Sequence, residues 1–162
     1  MRRATVADVD EIARVHVEVY EASLGHVVEA GVLDEARGQR RPMWETLLSS
    51  PPEGQAVFVH GDDRVVGFVS AGPDRDAGGA RDGGEIYALF VEPDAWGSGL
   101  GTELLELGVD HLRSLALPVA RLWVLDANAR ARRFYVREGW SDLGIVREDH
   151  RGRFSRYGRD LL

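Results

Sequence analysis

The run Ile86-Tyr87-Ala88-Leu89-Phe90-Val91-Glu92-Pro93-Asp94-Ala95-Trp96-Gly97-Ser98-Gly99-Leu100-Gly101-Thr102 constrains this chain more than any other segment. It reads as a buried strand, a short turn, and three alternating glycines that open an amphipathic helix. Glycine lacks a Cβ, so successive backbone N–H groups there can approach an anion closely. The helix N-terminus behind them adds unpaired donors and a partial positive charge. Together they form a phosphate site made of backbone alone. Gly-rich turns also cap helices for packing reasons, and the run by itself leaves both uses open.

The 162 residues fit one domain, 1–162, with a sizeable core. Hydrophobic residues make up 44% and charged residues 29%, the balance of an ordinary soluble globular protein. No apolar run approaches the roughly 20 residues that span a bilayer. Met1-Arg2-Arg3 leads directly into an acidic amphipathic segment, without a secretory h-region, so the cytoplasm is the expected address. With no cysteine there is neither a disulfide framework nor a thiolate nucleophile. A formal charge of −7 argues against nonspecific nucleic-acid binding and favours a cationic small molecule or peptide as partner. All 20 basic residues are arginine, which fits arginine-rich codon usage or avoidance of self-modification at amines.

Arg2 to Thr5 can form a short strand, and Thr5 with Asp8 resembles a capping box. Val9, Ile12, Ala13, His16, Val19 and Tyr20 then recur at helical spacing. The segment 25–38 is ambiguous. Pro42 suits the first turn of a second helix through Trp44, Leu47 and Leu48, ended by Pro51-Pro52. The segments 56–60 and 65–71 read as a hairpin, and 73–84, rich in Gly and Asp, as a mobile loop. Strands follow at 85–91 and 119–125, with helices at 100–115 and from Asn128, the last closed by Gly139 at its C′ position. Two more strands surround Arg151-Gly152. The order β-α-α-β-β-β-α-β-α-β-β predicts one α+β domain, a mixed sheet with helices on both faces.

Several chemistries are excluded by spacing. No Lys-Ser or Lys-Thr follows the glycines, which excludes a P-loop, and the third glycine comes too early for a dinucleotide fingerprint. The five histidines are scattered without a zinc pattern, so no metal is expected. A second motif sharpens the reading: Asn128-Ala129-Arg130-Ala131-Arg132-Arg133-Phe134-Tyr135-Val136-Arg137-Glu138-Gly139-Trp140 lies one helix and one strand beyond the glycines. Trp96 to Gly101 and Asn128 to Trp140 together resemble the two motifs of the GNAT superfamily of acyl-CoA N-acyltransferases. The element order follows the family's across essentially the whole chain.

This resemblance implies a three-layer fold whose mixed, mostly antiparallel sheet is splayed, with the pantetheine arm of acetyl-CoA in the gap. Backbone groups of Leu89, Phe90 and Val91 are then expected to pair with that arm. Those of Trp96, Gly97, Ser98, Gly99, Leu100, Gly101 and Thr102 are expected to hold the pyrophosphate. Trp96 departs from the Gln or Arg usual in the family, which puts one side-chain contact in doubt. Asn128 matches a cofactor-contacting asparagine and also suits a helix N-cap. Arg130 and Arg133 either meet the phosphates or form a solvated helix surface. Tyr135 matches the family's general acid for the leaving thiolate, against a plain core aromatic. Glu85 is the candidate proton acceptor, against a charge at a strand end.

For the acceptor, the resemblance points to Tyr20, Ser23, His26, Trp44, His150 and Glu85, although Tyr20 and Trp44 also suit a helix core. The expected activity is acetyl transfer from acetyl-CoA to a primary amine of a small molecule or peptide, by direct attack in a ternary complex. The alternatives are a noncatalytic acyl-CoA-binding sensor or inactive partner subunit, and an unrelated phosphate-binding protein with an unsplayed sheet. The acceptor is not named by the sequence, and a homodimer is left open.

Overall fold

The computed structural model describes residues 1–26, 28–76 and 82–162. Its strands are β1 (Arg2–Arg3), β2 (Ala56–His60), β3 (Gly67–Pro73), β4 (Gly84–Val91), β5 (Val119–Leu125), β6 (Ser141–Asp149) and β7 (Gly152–Asp160). Its helices are α1 (Val9–Leu24), α2 (Ala30–Ser49), α3 (Leu100–Ser114) and α4 (Ala129–Arg137). They form one sheet in the order β1-β2-β3-β4-β5-β7-β6, with every pairing antiparallel except the parallel β4–β5 pair. The expected element order and fold class hold. No helix among the described residues is long and apolar enough to cross a membrane.

Helix α3 carries the larger core. Leu104, Leu105, Val109 and Leu112 are fully buried beneath β3 and β4, each contributing about 1.5–3 kcal/mol of transfer free energy. Gly108 lets the helix approach that closely, since a Cβ there would stand 2.9 Å from a Val69 methyl. Helix α4 packs on the same face through Ala131, Phe134 and Tyr135. On the opposite face α1 and α2 cover a second cluster around Ile12, Val15, Trp44 and Phe68. The Thr5 amide donates to the Asp8 carboxylate at 2.8 Å, as the capping pattern predicts.

One boundary differs from the sequence reading. Helix α2 begins at Ala30, well before Pro42, which sits inside it. Two anchors keep it continuous: Val32 and Leu33 join a cluster with Tyr20 and Phe154, and Trp44 plugs the second core. Tertiary packing at both ends outweighs the lost rung at proline. The loop read as mobile at 73–84 falls partly outside the described residues, at 77–81.

Strand β4 holds the two features that build the site. Opposite β3, Ser70 pairs with Ala88 and Ala71 with Ile86, so Tyr87 is an extra residue, a bulge. Bulges bend a strand and increase its twist. Beyond the bulge β4 parts from β5, and the two share only the rungs Gly84–Ala120 and Glu85–Arg121. From Ile86 to Val91 the β5-facing edge of β4 lines a wedge-shaped gap.

Candidate active site

The gap exposes backbone, and the hydrogen-bond pattern identifies which groups. The Glu92 amide donates to the Val66 carbonyl at 2.9 Å. Bonded and non-bonded pairs alternate along an antiparallel ladder, so Phe90 bonds Phe68 while the amides and carbonyls of Leu89 and Val91 face the gap. Of the three residues expected there, Phe90 has its own backbone turned to β3. Its ring stacks on His16, 4.4 Å between centroids. The Trp96 indole N–H donates to the Val91 carbonyl at 2.7 Å, so this residue meets the gap edge with a donor of its own.

Below the gap lies the glycine turn. Gly97 (φ +79°) and Gly99 (φ +92°) occupy left-handed backbone, and a Cβ on either would point into open space. Ser98 closes the turn, its hydroxyl donating to the Ala95 carbonyl at 2.7 Å and accepting from the Leu100 amide at 3.3 Å. Helix α3 makes its first backbone bond from Glu103 to Gly99. The amides of Gly97, Gly99, Gly101 and Thr102 therefore find no acceptor among the described residues, the array an anion requires. A Cβ at Gly101 would stand 3.5 Å from the Phe134 ring, an ordinary contact, so α4 packs alongside this turn.

Helix α4 adds charge and a phenol. The Arg130 guanidinium lies 3.4 Å over the Trp96 ring with no acidic partner among the described residues, and burial lowers its pKa. Arg133 is exposed, on a shallow groove with Arg132, Val136 and Tyr157. The Asn128 side-chain oxygen accepts from the Ala131 amide at 3.1 Å, capping α4, and its NH₂ has no acceptor among the described residues. Tyr135 packs against Phe134 and Trp140, and burial raises its pKa, so the phenol keeps its proton. Its hydroxyl has no hydrogen-bond partner among the described residues.

On the α1 face, Glu85 is 1% exposed. Arg75 holds it: Nη2 donates to Oε1 at 2.7 Å, while Nε and the backbone amide donate to Oε2 at 3.2 and 3.1 Å. A carboxylate offers about four acceptor positions, so one remains. Arg75 also covers the Tyr87 ring at 4.4 Å, and burial with the Glu85 charge pushes that phenol up to about 12. Beside them Asp74 accepts from Arg156 at 2.6 Å and from Arg121 at 2.7 Å. Burial raises the Asp74 pKa, the two arginines lower it, and the net shift is down.

Two acceptor expectations change. Trp44 is 2% exposed, its indole N–H donates to His16 Nδ1 at 3.0 Å, and its ring packs on Phe68. It belongs to the core, as its helical spacing permits, and offers no wall to an acceptor. Tyr20 is buried against Leu24, Leu125 and Phe154, tying α1 to the tip of β5 and β7. Ser23 is half-buried, and His26 and His150 are exposed. Arg75, Asp74, Arg147 and Arg156 were not anticipated. The signal available was Pro73-Asp74-Arg75 directly after a strand, which composition alone reads as loop.

A sheet split between parallel strands, with a glycine-built anion cradle at the mouth of the split, defines a class of enzymes that bind a phosphorylated carrier along a strand edge. The sequence profile of the Acetyltransferase (GNAT) family matches residues 18–140, and the chain belongs to that family. It is 35% identical over 140 residues to an uncharacterized N-acetyltransferase of Archaeoglobus fulgidus, covering 84% of this chain and 88% of that one. A mycothiol acetyltransferase of Propionibacterium freudenreichii is 32% identical over 136 residues, 83% of this chain but only 40% of that protein. The PaiA N-acetyltransferase of Thermoplasma acidophilum, solved in complex with coenzyme A, shares the fold. Its TM-score is 0.80 at 14% identity, over 96% of this chain and 95% of that one.

Proposed function

We propose that this chain transfers an acetyl group from acetyl-CoA to a primary amine by direct attack in a ternary complex. The observation that carries this reading is the strand edge at Leu89 and Val91, turned away from β3, beside the amides of Gly97, Gly99, Gly101 and Thr102, which have no acceptor among the described residues. An amide-bearing arm ending in a pyrophosphate, as in the coenzyme A of the Thermoplasma relative, matches that sequence of donors and acceptors. Gly97, Gly99, Gly101 and Thr102 would hold the pyrophosphate, with Arg130 beside it and Arg133 further out. The bound thioester supplies an activated acetyl group and a thiolate leaving group.

The remaining steps belong to this chain. The Leu89 amide, directed into the gap, polarises the thioester carbonyl. Glu85 receives the amine proton through a water at its one remaining acceptor position, while Arg75 keeps the carboxylate in place. Tyr135, protonated at neutral pH, gives its proton to the leaving sulfur. The noncatalytic alternative is less favoured, because direct transfer gives a role to a phenol without a hydrogen-bond partner among the described residues and to a carboxylate tethered by Arg75.

The test is a thiol-release assay with acetyl-CoA over amines, polyamines, aminoglycosides and peptides. Tyr135→Phe should then lower kcat by about 100-fold, the low end of general-acid effects, with little change in acetyl-CoA affinity. Unchanged turnover at saturating substrates removes Tyr135 from the acid role.

A further inference from the structure

The arginines of this chain are mostly paired. Among the described residues, only Arg40, Arg130, Arg133 and Arg147 have side chains without an oxygen acceptor. The chain carries 27 acidic residues against 20 arginines, so a missing partner is not for want of carboxylates. Arg130 stands over Trp96 beside the glycine cradle and Arg133 lies further out on α4, and both are assigned to the phosphates of the proposed donor. Arg40 and Arg147 lie on the other side, where an acceptor enters.

Arg147, on β6, lies 4.4 Å over the Trp123 ring and 5.3 Å from that of Phe154. Trp123 stands two residues beyond Arg121, the last rung between β4 and β5, so its ring marks the mouth of the gap on the α1 face. Arg40, on α2, lies 5.8 Å over the Tyr20 ring, and its Nε is buried without a partner. Tyr20, Trp123 and Phe154 share one apolar cluster, which brings the two guanidinium groups to the same wall. Burial lowers the pKa of both, and Arg151 lowers each further by like-charge repulsion. The nearby carboxylates are already engaged: Asp149 with Arg151, Asp76 with Arg156, Glu85 with Arg75. Two cations without an oxygen acceptor among the described residues, Arg40 partly buried and Arg147 exposed, both set on aromatic rings, form a site for an anionic oxygen group.

We infer that the acceptor is a small amine that also carries an anionic group, a carboxylate or a phosphate, held by Arg147 and Arg40 while its amine faces Glu85. This inference rests on the transferase reading and specifies its substrate class. It reverses the expectation drawn from net charge, because the overall charge of −7 does not describe this wall.

The experiment compares matched acceptors in the thiol-release assay: amino acids against their carboxamides, and phosphoethanolamine against ethanolamine. The anionic member of at least one pair should be preferred tenfold or more in kcat/KM, and the two sets separate carboxylate from phosphate. Arg147→Gln, and separately Arg40→Gln, should raise KM for that acceptor about tenfold and erase the preference. KM for acetyl-CoA should stay the same. Equal or better turnover of the neutral member in every pair overturns the inference, as does an intact preference in both variants. Acetyl-CoA binding by calorimetry with no anionic amine turned over also overturns it and leaves the transferase reading standing. Failure to bind acetyl-CoA counts against that reading itself.

Discussion

His16 is a histidine at a core position, and Trp44 decides its state. The indole N–H donates to Nδ1, so the ring is neutral with its proton on Nε2, and burial pushes its pKa down to about 3. An unfolded imidazole protonates near 6.5, so as pH falls the unfolded chain takes up this proton first. This contribution to stability is complete above pH 6.5 and is lost as pH falls from there toward 3, by up to ~1.4 kcal/mol per pH unit. His16→Gln, which can still accept from Trp44, should lose less stability than the parent between pH 6.5 and about 5, above the carboxylate range. Urea melts at the two pH values measure the difference. A second test concerns Gly99, whose φ of +92° strains any β-branched residue by roughly 1–2 kcal/mol. Gly99→Val should also weaken coenzyme A binding by at least about tenfold, because its side chain fills the cradle. Undiminished affinity in calorimetry would refute the cradle. The glycines, Asn128 and Tyr135 were legible because each is a residue type at a fixed spacing. The Trp44–His16 pair was not, since nothing local links residues on two different helices.

Among elements, β4 was legible in extent but not in facing. Strict alternation puts Glu85 on the side of Leu89 and Val91, whereas the bulge at Tyr87 puts it with Ala88 and Phe90 on the α1 face. A bulge adds one residue without any compositional mark, so the side on which the candidate base stands could be read only from the register. The same limit applied to α2, where propensity stopped at Pro42 and packing did not. The loop after β3 conceals a further device. Asp74 reaches Arg121 on β5 and Arg156 on β7, stapling both halves of the sheet where they share two rungs. Asp74 is 5% exposed and Arg156 4%, so Asp74→Asn takes one of two carboxylates from a buried guanidinium and leaves it Asp76 alone. A loss of about 1.5–3 kcal/mol, the range for a hydrogen bond to a charged group, is expected in denaturant melts. A loss below about 1 kcal/mol would mean the staple bears little of the seam.

Over the whole molecule, overall charge and local charge diverge. Among the described residues the arginines without an oxygen acceptor lie on α2, α4 and β6, and no count of residues could have located them. The gap itself predicts an exchange pattern. Amides of Leu89 and Val91 should exchange rapidly in the free protein while Phe90 between them stays protected. Acetyl-CoA should slow the first two and leave Phe90 unchanged. At a hundredfold excess over Kd it should add about 2.7 kcal/mol of stability and raise Tm by roughly 5–10 °C. Equal protection of all three amides without ligand would mean that the strands close on their own.

The two-rung seam between β4 and β5 has a consequence for the lifetime of the chain. A diffusible molecule supplies what a neighbouring strand supplies elsewhere, so folding equilibrium follows the abundance of acyl donor. A chain without donor presents two bare strand edges, the exposure that invites proteolysis and edge-to-edge association. The free protein should therefore be cut by a protease faster than its acetyl-CoA complex.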